Sequence, residues 1–229
     1  KAAGYDCLYV DMEHSGISVA ETGQICVTSL AVGIAPFVRV PAGSYDVAAQ
    51  VLDLGAMGII APHISGPEDA KRMVDCCKYP PTGHRSNSSS IPQQYLSQKP
   101  LLKVQEQIND ETMVFAMIES RDGLQNVDAI SAVDGVDCLL VGTSDLTAEL
   151  GIPGQFDNDI LLKALEKICA AAKKNGTHVS LGGGIKGGAP GLLKTLCNMG
   201  FRQISVGNDV GMMVSGMRQR VKDIRSQID

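Results

Sequence analysis

The sequence carries no excess of positive charge. Its 20 Lys and Arg residues are outnumbered by 25 Asp and Glu, for a net charge of −5 and a pI near 5.4. A nucleic-acid partner requires a basic surface, so that class of function is excluded. Long apolar runs are missing as well. Uninterrupted stretches such as Met113–Ile118 fall far short of the roughly 18–20 residues that a membrane-crossing helix needs. No secretory leader pattern is read at the start. The seven cysteines, Cys7, Cys26, Cys76, Cys77, Cys138, Cys169 and Cys197, contain no CxxC pair and no spaced Cys/His cluster. Their number is odd and most occupy apolar periodic positions. They read as reduced, buried, small hydrophobes of a cytoplasmic protein, and a zinc site and a disulfide framework are set aside.

What is present is ordinary for a globular chain: 229 residues, 44% hydrophobic and 20% charged, enough for one large domain or two small ones. Seven short apolar runs recur, at Cys7–Val10, Ala35–Val40, Met57–Ala61, Met113–Ile118, Cys138–Val141, His178–Leu181 and Ile204–Val206. Each reads as a strand buried on both faces, the signature of a parallel sheet. Amphipathic stretches separate them. Ser18 with Glu21 and Ser65 with Glu68 fit capping boxes, and Gly33, Gly55, Gly176 and Gly200 fit helix stops.

Strands alternating with helices predict an α/β fold, either an open doubly wound sheet or a closed TIM (β/α)8 barrel. No Gly-rich dinucleotide fingerprint follows the first run, which counts against the open sheet. A barrel needs eight strands, and Lys1-Ala2-Ala3-Gly4 looks like a helix end and its stop. The expectation is a single barrel domain over residues 1–229, with its first strand upstream of residue 1.

Two segments break the rhythm. Residues 79–112 begin Tyr79-Pro80-Pro81-Thr82-Gly83-His84-Arg85 and pass through a polar run at Ser86–Ser90. They carry a helix candidate over Tyr95–Asp110 that Pro100 would kink or interrupt. Such an excursion is a binding loop or a plain surface insertion. Near the C-terminus, Val210, Val214, Met217, Val221, Ile224 and Ile228 step by 4, 3, 4, 3 and 4. That is a heptad seam on a helix of about residues 209–227. It packs either on its own barrel or on a neighbouring subunit.

Barrel enzymes place their chemistry at the carboxyl ends of the strands. The polar residues there are Asp11, Glu13 and His14 after the first run, Arg39 in the second, His63 after the third and Glu119 after the fourth. Ser144 and Asp145 follow the fifth, Gly182–Gly184 and Lys186 the sixth, and Asn208 and Asp209 the seventh. Neighbouring strands lie about 5 Å apart, so Glu119 and Asp145 can reach one cation. Paired carboxylates with water and substrate oxygens suit Mg2+ or Mn2+. Each alone also reads as a solvated strand end or a helix N-cap. Arg39 ends an apolar strand, where its charge needs a partner: a substrate carboxylate or oxyanion, or an ion pair with Asp11 or Glu13. His14, close to carboxylates, fits a general acid or base, or a structural role. Glycines 182–184, 187 and 188 fit an anion-binding turn or a plain tight turn. Lys186 would be a Schiff-base lysine in an apolar pocket, and none is evident around it.

In series, these stretches resemble one family. They are Tyr5-Asp6-Cys7-Leu8-Tyr9-Val10-Asp11-Met12-Glu13-His14, Val38-Arg39-Val40-Pro41, Leu52-Asp53-Leu54-Gly55-Ala56-Met57-Gly58, Lys78-Tyr79-Pro80-Pro81-Thr82-Gly83-His84-Arg85, Met117-Ile118-Glu119-Ser120, Val141-Gly142-Thr143-Ser144-Asp145-Leu146 and Ser205-Val206-Gly207-Asn208-Asp209. Together they resemble the HpcH/HpaI family of class II, metal-dependent 2-oxoacid aldolases. The Gly83-His84-Arg85-Ser86 form is similar to its fungal, macrophomate-synthase-like branch.

The resemblance implies a TIM barrel and a divalent ion (Mg2+, Mn2+ or Co2+) on Glu119 and Asp145. It implies Arg39 at the keto oxygen of pyruvate, His14 positioned by Asp11 as the acid/base, and the pyruvate carboxylate near the amides of the Ser144–Asp145 turn. The substrates would be a 2-oxoacid and an aldehyde, joined or parted in a 4-hydroxy-2-oxoacid through a pyruvate enolate. Oxaloacetate decarboxylation would use the same enolate. The implied assembly is a hexamer built from dimers that exchange their last helix. Three departures stand out: Met117 where many relatives carry Gln, Ser86 where many carry Gly in a loop expected to line the aldehyde side, and the missing first strand. Two other readings compete. A citrate-lyase-like acyl-CoA lyase would need a basic patch for its nucleotide, and none is obvious. A catalytically silent oligomeric barrel would not need Glu119, Asp145, Arg39 and His14 together.

Overall fold

Every apolar run becomes a strand in the computed structural model, which describes residues 1–88, 91–94, 99–183 and 191–228. The strands are β1 (Cys7–Asp11), β2 (Ala35–Arg39), β3 (Gly58–Ala61), β4 (Met113–Ile118), β5 (Cys138–Gly142), β6 (His178–Gly182) and β7 (Gln203–Ile204). They pair in parallel and in sequence order. Alternation sends successive side chains to opposite faces. Phe37, Ile60, Phe115, Met117, Cys138 and Leu140 fill the concave side, with Tyr9 against them. Phe37 and Phe115 meet with ring centroids 4.9 Å apart. Val38, Ile59, Val114, Ala116, Leu139 and Val141 face the helices in the larger core. Both faces of β2 to β6 are largely buried, which is why those strands read as unbroken apolar runs.

The sheet curls until its ends approach. Gln203 Nε2 donates to Cys7 Sγ at 3.3 Å, although no ladder joins β7 to β1 among the described residues. The result is a TIM-barrel-like α/β fold of seven strands; the expected eighth is not among the described residues.

Among the described residues nine α-helices lie between strands, α1 (Val19–Ala31), α2 (Tyr45–Asp53), α3 (Pro67–Cys77), α4 (Leu101–Glu111), α5 (Arg121–Gln125), α6 (Val127–Ser131), α7 (Thr143–Glu149), α8 (Asp159–Asn175) and α9 (Leu192–Met199), and α10 (Asp209–Arg225) follows β7. The capping box at Ser18 is present in full, with Ser18 and Glu21 each accepting the other's amide. The second box forms one residue later than expected. Pro67 takes the first helical position, where its missing N–H costs nothing, and Asp69 accepts the amides of Ser65 and Gly66. Pro100 starts α4 instead of interrupting it. The cysteines are free, as expected, but only Cys26, Cys77 and Cys138 are fully buried, and Cys197 is exposed.

The segment after α3 lies at the amino ends of the strands. Lys78, 5% exposed, donates to Asn109 O at 2.8 Å and to Thr112 O, and pairs with Asp137 at 3.2 Å. Asp137 in turn accepts the first amide-to-carboxylate bond of β4, from Val114, at 2.7 Å. Tyr79 and Asn109 exchange two hydrogen bonds. Arg85 pairs with Asp53 at 2.7 Å and stacks over the Tyr79 ring at 4.8 Å. The loop expected to line the aldehyde side therefore sits, within this chain, opposite the rim that carries Glu119. The helix α3 has already carried the backbone down before the loop begins.

The last helix is also different from the simpler of its two readings. None of its residues is buried, and Val210, Met217, Val221, Ile224 and Ile228 along the heptad seam are exposed. It does not pack its seam on its own barrel.

Candidate active site

The polar ends of β1 and β2 meet through their register, which sets Asp11 beside Arg39. Arg39 Nε and Nη2 donate to the two oxygens of Asp11 at 2.9 and 2.6 Å, a bidentate fork. Its Nη1 lies 2.9 Å from Glu13 Oε2, and its guanidinium sits 5.6 Å above the Tyr9 ring. Burial raises the Asp11 carboxyl, but the Arg39 bonds and charge and the amides of His14 and Glu13 outweigh it, so the net shift is downward. Burial pushes the Tyr9 phenol well up, against the lowering effect of Arg39. The ion-pair reading of Arg39 is thus realised with both carboxylates, and the pairs fix the direction of the guanidinium at the rim.

His14 is exposed. Its amide donates to Asp11 Oδ1 at 3.3 Å. The contact with Asp11 is thus through the backbone; among the described residues the ring makes no hydrogen bond. A different histidine occupies the centre. The His63 amide donates to Glu119 Oε1 at 2.7 Å, its Nδ1 lies 3.1 Å from the same oxygen, and its Nε2 lies 3.1 Å from Glu13 Oε1. Sequence reading placed His63 and Glu13 at strand ends and gave neither a role toward Glu119. The signal that marks His63 is its backbone: φ is +54°, the only positive value among described non-glycine residues. Such conformations cost energy and cluster at functional sites.

Glu119 is 3% exposed. Burial raises its carboxyl above the ordinary range, the His63 amide and ring lower it, and the negative charges of Asp145 and Glu13 raise it. Two simpler readings drop out. Glu119 is not a solvated strand end, and it is not an N-cap, since Ser120 caps α5 by accepting from Gly123. Asp145 lies in the first turn of α7, whose cap position is Gly142, so it is not an N-cap either. Its carboxylate is exposed and has no hydrogen bond or ion pair among the described residues. The ladder sets Ile118 beside Val141, which brings Glu119 over Gly142. Ser144, next to Asp145, is exposed on the same turn.

These residues fit a divalent cation in a specific way. The buried Glu119 carboxylate is crowded by negative charge, and Asp145 is the second hard oxygen donor nearby. No group of three or more His, Cys, Asp or Glu is gathered for metal among the described residues. Two protein carboxylates with the remaining positions left to water and substrate is the pattern suited to Mg2+ or Mn2+. Beneath Glu119, Met117 is buried among Phe115, Ile60 and Leu140, so position 117 offers no polar contact. Lys186, with Gly184, Gly187 and Gly188, lies outside the described residues.

Comparison with known proteins gives one consistent finding. A family model described as HpcH/HpaI aldolase/citrate lyase matches residues 1–183. The 4-hydroxy-4-methyl-2-oxoglutarate aldolase tasA of Hapsidospora irregularis is 43% identical over 185 residues, which are 80% of this chain and 68% of that protein. The crystal structure of an HpcH/HpaI aldolase from Desulfitobacterium hafniense superposes with a TM-score of 0.89 at 27% identity, covering 98% of this chain and 85% of that one. Macrophomate synthase shares the fold, with a TM-score of 0.80 at 23% identity over 100% of this chain and 80% of that one. No helix among the described residues is long and apolar enough to cross a membrane.

Proposed function

The chain belongs to the HpcH/HpaI aldolase/citrate lyase family, and from that premise we propose a divalent-metal-dependent carbon–carbon lyase. Its substrate is a 4-hydroxy-2-oxoacid, cleaved to pyruvate and a carbonyl product or formed from them. The observation that carries this reading is the buried Glu119 carboxylate, set over Gly142 by the β4–β5 register and raised in pKa by that burial and by the nearby charge of Asp145, on the rim that also holds Arg39. The name of the 43%-identical relative favours 4-hydroxy-4-methyl-2-oxoglutarate as the first substrate to try.

Glu119 and Asp145 hold the ion. When bound, it supplies Lewis acidity at the keto oxygen, where negative charge builds as the C3–C4 bond breaks. Arg39, fixed by Asp11 and Glu13, adds a second positive group at that oxygen. The exposed, unengaged ring of His14 takes the 4-hydroxyl proton. Oxaloacetate decarboxylation needs no other residue, because it passes through the same charge on the same oxygen. The test is pyruvate release with and without EDTA, followed by Mg2+, Mn2+ or Co2+. Activity should vanish with EDTA and return with metal. Turnover that survives EDTA and is trapped by borohydride would overturn the reading and point to Lys186.

The same reading includes self-association through α10, none of whose residues is buried and whose apolar seam is largely exposed. Exchange of this helix between the subunits of each dimer, in a hexamer built from such dimers, is the arrangement we propose. Sedimentation should show an oligomer that Met217→Asp reduces in size; a wild-type monomer would refute it.

A further inference from the structure

The two oxygens of Glu119 have different surroundings. Oε1 faces both the amide and the ring Nδ1 of His63, at 2.7 and 3.1 Å. Oε2 has no protein hydrogen-bond partner among the described residues. It lies against the bare Cα of Gly142: a methyl there would come within 2.6 Å of Oε2 and 2.8 Å of the Glu119 Cβ. The backbone does not require glycine at 142, since its φ is −81°. The bare Cα serves the carboxylate.

His63 is held for this task from its other side. Its Nε2 lies 3.1 Å from Glu13, which also contacts Arg39. A continuous belt thus runs from Asp11 through Arg39, Glu13 and His63 to Glu119. The left-handed φ of His63 lets its amide and its ring converge on one oxygen.

We propose that His63 and Gly142 are positioning residues that make Glu119 a one-oxygen ligand. His63 occupies Oε1, and Gly142 opens the space in which Oε2 points toward Asp145. This rests on the reading of Glu119 as a metal ligand. The consequence is selectivity. A carboxylate that offers both oxygens suits Ca2+, which accepts bidentate ligands and high coordination numbers. One that offers a single oxygen keeps positions free on a small octahedral ion, enough for two oxygens of a 2-oxoacid.

The test is Mn2+ binding to the metal-free chain, followed by electron paramagnetic resonance, with Ca2+ in competition. His63→Gly preserves the left-handed backbone and the amide while removing the ring. It should weaken Mn2+ by roughly ten- to hundredfold, the usual cost of losing a residue that orients a ligand. It should weaken Ca2+ less, so the Ca2+/Mn2+ preference rises. Gly142→Ala should weaken Mn2+ in the same range, and His63→Asn serves if that variant does not fold. Equal loss of both ions in His63→Gly, or Mn2+ binding as in the wild type, overturns the proposal. Glu119→Gln separates the two levels: wild-type Mn2+ affinity in that variant would overturn the metal-ligand reading itself, whereas its loss beside an unaffected His63→Gly would overturn the positioning role alone.

Discussion

The two ends of the barrel hold similar numbers of charged side chains and use them in opposite ways. At the amino end, Lys78 and Arg85 face Asp137 and Asp53, and Lys78 also satisfies two backbone carbonyls. At the carboxyl end, Asp11, Glu13 and Glu119 share Arg39 and His63, and Asp145 stands by with no ion pair among the described residues. The first group balances its charge and closes the gap between α3, α4 and β4. The second has more carboxylates than the chain supplies with positive charge, and one of them is buried. A buried carboxylate crowded by negative charge is costly to a fold, and on the proposed reading a bound cation offsets that cost.

The sharpest way to break this contrast is a pair of substitutions, one at each end. Asp145→Asn should lower kcat/KM by about 10³-fold, the equivalent of several kcal/mol of lost electrostatic stabilisation, with the melting temperature unchanged or slightly raised. Lys78→Met should do the reverse. It leaves Asp137 and two carbonyls without their cation, at a cost of about 2–4 kcal/mol, which lowers the melting temperature by about 5–10 °C while kcat of the folded enzyme stays near the wild type. Activity assays and thermal melts on both variants decide it. If Lys78→Met loses activity without losing stability, the ends are not divided as described.

A smaller effect sharpens the contrast within the rim itself. The Asp11 carboxyl titrates lower in the fold than in an unfolded chain. The unfolded state therefore takes up the proton first as pH falls. The stability contributed by the Asp11–Arg39 pair is complete above the ordinary Asp value of about 3.9 and is lost as pH drops through the folded value. Urea melts of wild type and Asp11→Asn should differ at pH 7 and converge below about pH 4. A gap that stays constant across this range would show that the pair contributes nothing electrostatic to stability.

Much of the fold was legible in the sequence because the physics that forms a doubly buried parallel strand also writes a short unbroken apolar run. The Met113–Ile118 run matches β4 end to end. The short helices were harder. Thr143–Glu149 has little apolar stripe of its own, and the stripe Leu124, Val127, Ile130 is divided into α5 and α6 at Asn126. In the site, Asp11, Arg39, Glu119 and Asp145 could be found because each is a polar residue that ends or follows an apolar run. His63 and Gly142 could not be assigned a role this way. What they do depends on a positive φ and on a strand register, and 56 residues separate His63 from Glu119. The position of Lys78–Arg85 at the amino end was readable in principle, since a strand followed by a helix must bring the chain back to that end. The motif resemblance directed the expectation to the other rim.

The packing below Glu119 has a last consequence. Phe115, Ile60, Met117 and Leu140 are almost wholly buried and stopper the centre of the sheet. Among the described residues these side chains close the concave side below the polar rim, so on the proposed reading reactants would arrive and fragments depart on the rim side. On that reading the fragment seated deeper would leave after the shallower one, and a high concentration of the deeper fragment should inhibit turnover of fresh substrate.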